Sequence, residues 1–238
     1  MHTLVDRVQQ HWPGQCLLCY GSSHDSRDLC LGCQRELPWV HTICSHCGLP
    51  SEQDICHQCQ RSPPAWDAIY PVWHYDFPLN RLLNAWKHQG RAEAGRCLSL
   101  LWLEWQQLPA PLPGCLIPVP LHWRRRWWRG FDQAQVLSQR WSKAFGIDSG
   151  ALIQRHRSTA AQQQLTARQR QRNLEGAFRL RRNARTQPLP DHVALVDDVV
   201  TTGSTVSVLC DLLRSAGCQR IDIWCLARTP PHRFTDRH

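Results

Sequence analysis

The chain has 238 residues and a formal net charge of +9, from 28 lysines and arginines against 19 acidic residues. Lys87 and Lys143 are the only lysines, so nearly all the positive charge is guanidinium, which favours bidentate phosphate contacts and stacking on bases. This length holds one medium α/β domain and a small appendage, and no apolar run reaches a membrane span, since Leu98 to Trp105 is broken by Glu104.

Met1 to Pro13 contains Asp6 and polar residues without an apolar core, so no signal peptide is expected and the reading is cytoplasmic. In a reducing compartment, thirteen cysteines point to metal rather than disulfides. Eight of them form four CxxC pairs, Cys16/Cys19, Cys30/Cys33, Cys44/Cys47 and Cys56/Cys59. That spacing lets two thiolates of one tight knuckle grip the same tetrahedral ion, so four knuckles supply two Cys₄ sites for structural Zn²⁺. Their order suggests two consecutive ribbons, residues 16–33 and 44–59, with crossed pairing as the alternative. An iron–sulfur cluster is the competing metal reading. A thioredoxin-like dithiol would need one CxxC at the start of a βαβ unit, not four in a row. So short a segment has little apolar core, and each zinc would contribute about 10–16 kcal/mol of apparent binding free energy to folding. With eight thiolates available, His24, His41, His46 and His57 are expected outside the ligand set. Cys97, Cys115, Cys210, Cys218 and Cys225 lie among apolar neighbours and read as core fillers.

Arg61-Ser62-Pro63-Pro64 reads as a linker between a zinc-ribbon module, residues 1–62, and an α/β domain, residues 63–238. Beyond it, Ala68 to Tyr75 reads as extended, Leu79 to Lys87 and Glu93 to Gln107 as helices, and Gly114 to Val119 as a strand. Arg124, Arg125, Arg126 and Arg129 then form a dense cationic loop with Trp123, Trp127 and Trp128 interleaved. A charge run is by default a solvated face, but an arginine–aromatic surface also stacks unpaired bases. Packing against the cysteine module is the alternative for the tryptophans. Asp132 to Phe145 is a helix and Ala151 to Gln154 a short strand, while His156 to Asn173 is too polar for core and reads as a mobile loop. Strands are expected at Ala177 to Arg181, His192 to Val196 and Arg220 to Leu226, with a helix from Val206 to Ser215. Alternating strands and helices predict a mostly parallel sheet with ligands at the strand C-termini.

The most informative segment is Val193 to Thr205, VALVDDVVTTGST. A buried strand, the carboxylates Asp197 and Asp198, a turn of hydroxyls and glycine, and a helix N-terminus together make an anion site. Gly203 lets the backbone approach the anion, and Thr201, Thr202, Ser204 and Thr205 add donors. Carboxylates would repel a phosphate, so the two aspartates must face ribose hydroxyls or a metal. A helix cap alone would need one Asp or Thr, not this whole pattern. A P-loop is excluded by the missing GK[ST] ending and a Rossmann fingerprint by the missing glycine spacing.

This segment resembles the 5-phosphoribosyl-1-pyrophosphate (PRPP) motif of type I phosphoribosyltransferases. The resemblance implies that Asp197 and Asp198 take the ribose hydroxyls and that Thr201 to Thr205 hold the 5′-phosphate, with Mg²⁺ bridging pyrophosphate and ribose. Two further stretches, Pro118-Val119-Pro120-Leu121-His122 through Arg129-Gly130-Phe131-Asp132-Gln133-Ala134, and Arg155 through Thr159, Gln162, Leu165, Arg170, Asn173 and Ala177-Phe178, narrow it. With the cysteine knuckles they make nearly the whole chain similar to the ComF/GntX family, whose members link natural competence and use of external DNA. The implied fold is a type I phosphoribosyltransferase-like sheet with a small N-terminal zinc-ribbon module. Arg125 and Arg129, and Arg168 and Arg170 from a lid over the site, are then expected on pyrophosphate. Asp132 departs from the family's usual Asn; it either weakens local anion attraction or caps the next helix. Lys87-His88-Gln89-Gly90 also matches a family pattern, without an evident role.

Three functions follow as expectations. One is a phosphoribosyltransferase that displaces pyrophosphate with a nitrogen nucleophile; purine enzymes of that superfamily place a general base where this chain has Val200. Another is a PRPP-binding protein of DNA uptake that holds single-stranded DNA on Arg124, Arg126, Trp127 and Trp128. The third is a zinc-ribbon docking module for a helicase or an uptake channel.

Overall fold

The computed structural model describes residues 14–23, 27–121, 130–155, 176–181 and 188–230. Two short strands, β1 (Gly14–Gln15) and β2 (Ser22–Ser23), pair antiparallel within the first cysteine segment, which continues into helix α1 (Leu31–Arg35). The second cysteine segment ends in α2 (His57–Arg61). The chain then runs through β3 (Ala68–Tyr70), β4 (Trp73–His74), α3 (Leu79–Gln89), α4 (Ala92–Trp105) and β5 (Cys115–Pro118). Next come α5 (Gln133–Phe145), β6 (Asp148–Ser149), β7 (Ile153–Arg155) and β8 (Phe178–Leu180). The last elements are β9 (His192–Val200), α6 (Ser204–Ser215) and β10 (Arg220–Arg228).

The main sheet has the order β3-β10-β9-β5-β6, with β4 also on β10, and every pairing in it is parallel. Strand periodicity divides its side chains between two cores. Leu116, Ala194, Val196, Trp224 and Leu226 face α3, α4 and α5. Ile117, Val193, Leu195, Ile221, Ile223 and Cys225 face α6 and the antiparallel ribbon β7–β8. The first core is built on indoles. Trp102 and Trp141 stack with centroids 3.9 Å apart, and Trp224 lies 5.4 Å from Trp102. The buried Trp102 Nε1–H is satisfied by the Cys225 carbonyl at 2.9 Å, as a buried indole requires. All five scattered cysteines are buried, as core fillers should be.

Most expected elements form, with three differences. The strand expected to stop at Val196 continues through both aspartates to Val200, because β10 keeps pairing with it as far as Arg228 opposite Val200. Helix α6 begins at Ser204 rather than Val206, since Gly203 takes the left-handed conformation at φ 78° and serves as its N-cap. The strand near residue 151 pairs only with β8 and stays out of the main sheet. Segments 122–129 and 156–175, and with them Trp123, Arg124, Arg125, Arg126, Trp127, Trp128, Arg129, Arg168 and Arg170, lie outside the described residues, as does His24.

The crossing of α3 on α4 depends on Gly95. A Cβ there would sit 2.3 Å from Trp86 Cε2, and Trp86, 2 % exposed, has nowhere to swing. Gly95→Ala is therefore expected to cost about 1–3 kcal/mol as overpacking, read as a lower urea midpoint with an unchanged m-value; an unshifted midpoint would mean that the helices separate freely.

Candidate functional site

Asp197 and Asp198 stand near the C-terminal end of β9, the edge to which the parallel strands deliver all their following loops. Each carboxylate accepts the next backbone N–H: Asp197 Oδ1 from Asp198 and Asp198 Oδ1 from Val199, both at 2.9 Å. The second Asp198 oxygen forms an ion pair with Lys87 Nζ from the last turn of α3. Burial, then the adjacent Asp198 carboxylate, push the Asp197 carboxyl well above the ordinary carboxylate range, against the Asp198 N–H and Lys87, which lower it. Lys87 is the residue that sequence reasoning left without a role. Its only local sign was its position before His88-Gln89-Gly90, where Gly90 in the left-handed region closes the helix.

The TTGST turn follows directly. Thr201 and Thr202 are exposed, Gly203 is buried, and Ser204 and Thr205 open α6. The Thr202 and Ser204 hydroxyls hydrogen-bond to each other at 2.9 Å in front of a helix N-terminus, leaving one hydroxyl proton of the pair free to donate. Val200 is 2 % exposed, its side chain enclosed in the second core.

Of the arginine-rich segment 122–129 the structure describes only the flanks, and these meet. Asp132 caps α5 by accepting Gln135 N–H at 3.3 Å, and its other oxygen accepts Leu121 N–H at 3.4 Å. Asp132 is thus a helix cap that closes the base of the loop just past the end of β5. The loop therefore starts and ends at the same sheet edge as the acidic pair.

The cysteines resolve into two consecutive tetrads, Cys16/Cys19/Cys30/Cys33 and Cys44/Cys47/Cys56/Cys59, with the ligand atoms of each within 4.8 Å of one another. The pairing is consecutive, not crossed. Four thiols so close are the donor set of a tetrahedral zinc site, and backbone amides already support the sulfurs: Cys33 N–H donates to Cys30 Sγ at 3.4 Å and Cys56 N–H to Cys44 Sγ at 3.3 Å. Burial opposes ionisation of Cys16, yet amides of Cys19, Cys30 and Leu18 outweigh it and bring that thiol down to about 6. Among the described residues, His41, His46 and His57 supply no atom to either tetrad.

The comparisons agree with this geometry. Residues 8–61 match the double zinc ribbon domain and residues 131–238 the phosphoribosyl transferase domain. The molecule is thus a phosphoribosyltransferase-like α/β protein carrying a double zinc ribbon. Competence protein F of Haemophilus influenzae is 37% identical over 223 residues, covering 90% of this chain and 96% of that protein. The DNA utilization protein YhgH of Salmonella typhi is 38% identical over 229 residues, and that of Escherichia coli O157:H7 is 39% identical over 227, each alignment covering 91% of this chain and 98% of the relative. The chain belongs to this ComF/GntX family of competence and DNA-utilization proteins. Among the described residues no helix is long and apolar enough to cross a membrane.

The raised Asp197 pKa has a thermodynamic signature. Between the unfolded carboxylate value of about 4 and the higher folded one, the native state holds a proton that the unfolded state has released. Stability therefore falls as pH rises across that window. Asp197→Asn should raise the melting temperature at neutral pH and flatten its dependence on pH above about 4, checked by thermal scans from pH 4 to 8; an unaltered profile would show that Asp197 is not the group responsible.

Proposed function

We propose that this protein binds PRPP at the C-terminal edge of its sheet and works in natural competence and the use of extracellular DNA. The observation that carries the reading is the acidic pair at the end of β9 running straight into TTGST at the start of α6. In this reading Asp197 and Asp198 accept the ribose hydroxyls, while Thr201, Thr202, Gly203, Ser204 and Thr205 wrap the 5′-phosphate with backbone amides, hydroxyls and the helix dipole. Arg125 and Arg129, with Arg168 and Arg170 closing from the lid, take the pyrophosphate. Mg²⁺ fits as a companion of the ligand: the carboxylates are oxygen donors of the kind it takes, and the ion would offset pyrophosphate charge. Lys87 already neutralises Asp198 in the free protein, so it holds the pair ready for the ligand and keeps repulsion between the two carboxylates in check. Two structural zinc ions fill the tetrads. Arg124, Arg126, Trp127 and Trp128 hold single-stranded DNA by phosphate attraction and base stacking.

A transferase reading, with a nitrogen acceptor displacing pyrophosphate at C1, shares every one of these ligand contacts. It differs in needing an acceptor and a proton acceptor beside it, and the enclosed Val200 favours binding over the purine-type reaction. Pyrophosphate release on incubation with PRPP and candidate bases separates the two.

Calorimetry with PRPP and Mg²⁺ tests the ligand. Replacing both Asp197 and Asp198 by Asn should weaken binding at least about 100-fold, since each charged hydrogen bond contributes about 1.5–3 kcal/mol; wild-type affinity in that variant would reject the site. Lys87→Met should weaken binding by roughly tenfold, consistent with about 1.4 kcal/mol per decade, and Lys87→Arg should restore most of it.

For the nucleic acid, Trp127→Ala with Trp128→Ala should reduce affinity for single strands far more than for duplex, because stacking at about 1–3 kcal/mol per base needs unpaired bases. Arg124→Ala with Arg126→Ala should weaken both and flatten the salt dependence. Fluorescence anisotropy across a salt series reads both outcomes, and unchanged affinities would move the DNA surface elsewhere.

A further inference from the structure

One basic side chain outside the motif is almost wholly buried. Arg228, the last residue of β10, is 6 % exposed. A guanidinium has five N–H donors and no acceptor, so burying it demands several oxygen partners. It finds them in two places. Its Nε donates to the Cys47 carbonyl at 2.8 Å, inside the first knuckle of the second tetrad. Its Nη1 donates to the Val200 carbonyl at 2.9 Å and the Thr229 carbonyl at 3.3 Å, and also reaches the Thr201 carbonyl. A single planar group thus joins the backbone of a cysteine knuckle to the junction between β9 and the TTGST turn.

A second strut runs beside it. Trp66 Nε1–H donates to the His46 carbonyl at 2.5 Å, and the far edge of the same indole covers Gly203. A Cβ on Gly203 would lie 2.6 Å from Trp66 Cη2, so the glycine is required by this contact as well as by its φ of 78°. The knuckle itself sits tightly against the domain. Ile69 N–H donates to the Ser45 carbonyl at 3.0 Å, and a Cβ on Gly48 would meet Ile69 at 3.0 Å and Arg228 at 3.5 Å. His46 and Cys47 are part of the Cys44–Cys47 turn, whose backbone path is set by the ion that its thiolates grip. Charge acts in the same sense, since a Cys₄ site holding a divalent ion carries about −2 and the guanidinium lies beside it. The first tetrad is attached elsewhere: Asp28 pairs with Arg96 and Arg27 with Glu104, both on α4.

We propose that Arg228 and Trp66 are positioning residues that fasten the TTGST loop to the second zinc ribbon, so that filling of the Cys44/Cys47/Cys56/Cys59 site and ligand binding at the loop are coupled. The coupling rests on the reading that this loop takes PRPP. The strut itself does not. Zinc in the second tetrad holds the His46 and Cys47 carbonyls where the two donors need them, and the donors hold Val200, Thr201 and Gly203. Linkage is reciprocal, so a ligand that needs the ordered loop must in turn retain that zinc. The first tetrad, docked on α4, takes no part.

The test uses the full chain loaded with zinc, challenged with a zinc-selective chelator and a thiol alkylating reagent, with cysteine labelling followed by mass spectrometry. PRPP with Mg²⁺ should slow labelling of Cys44, Cys47, Cys56 and Cys59 about fivefold or more, and leave Cys16, Cys19, Cys30 and Cys33 unchanged. Arg228→Lys keeps the charge but not the fork, and Trp66→Phe keeps the ring over Gly203 but not the N–H. Together they should abolish the protection while both zinc ions are still loaded. Equal protection of the two tetrads, or full protection in that double variant, would overturn the proposal. A ligand-free arm keeps the two readings apart. Stripping the second tetrad should speed hydrogen exchange at residues 199–206 whether or not PRPP binds. If the loop loosens but calorimetry finds no PRPP binding, the strut stands and the ligand assignment fails. If PRPP binds and exchange at the loop is indifferent to zinc, the strut fails.

Discussion

Two adjacent carboxylates on a central strand repel each other and resist burial, and the architecture around β9 answers that problem. β10 carries its pairing past Asp197, opposite Cys225, to Val200, so neither aspartate can leave the sheet edge by fraying the strand. The relief comes from side-on partners instead: one backbone amide for each carboxylate and the Lys87 ammonium on Asp198. Delivering that ammonium requires α3 to lie close over the sheet. The close crossing allows it, with Gly95 of α4 leaving room for Trp86 next to the lysine in the chain. The packing of two helices thus governs the charge balance at the site. The pair is thus held half-buried at a stability cost, with Asp198 balanced by Lys87 and Asp197 favouring its protonated form.

The cysteine segments show how a small module is made to hold in place. Neither has the apolar mass to fold on its own hydrophobic core. The first borrows that of the domain: Cys16, Leu17, Leu29 and Leu37 belong to the same buried cluster as Trp73 and Trp102. Both are also stapled by polar contacts, the first to α4 through Asp28–Arg96 and Arg27–Glu104, the second to the sheet through Arg228, Trp66 and the Ser45–Ile69 backbone bond. Two ribbons of the same chemistry therefore have different mechanical relations to the sheet.

The relatives that match over nine-tenths of this chain are named for competence and DNA utilization. The end of β5 and the acidic pair near the end of β9 share one sheet edge, because the main-sheet strands are parallel.

Local pattern made much of this protein legible. Four CxxC knuckles, the VALVDDVVTTGST run and the alternation of strands and helices are each encoded within a few consecutive residues, and they marked the eight thiol ligands, the turn between β9 and α6 and the parallel α/β class, while the consecutive pairing of the knuckles came from the fold. Asp132 was readable as a helix cap for the same reason, its partner being three residues away. Strand ends were less legible: β9 outlasts its apolar run because its partner continues, a fact about β10 rather than β9. The roles of Lys87, Trp66 and Arg228 were decided by tertiary structure alone. A lysine on a helix end or one arginine among many has no periodic signature, and its partner lies far along the chain, 181 residues away for Arg228 and Cys47. Only parallel pairing of β9 with β10, and the packing of both cysteine segments on that sheet, brings such residues together. The elements and the chemical groups followed from sequence, whereas which charge neutralises which, and which cysteine knuckle is joined to the TTGST turn, followed from the fold.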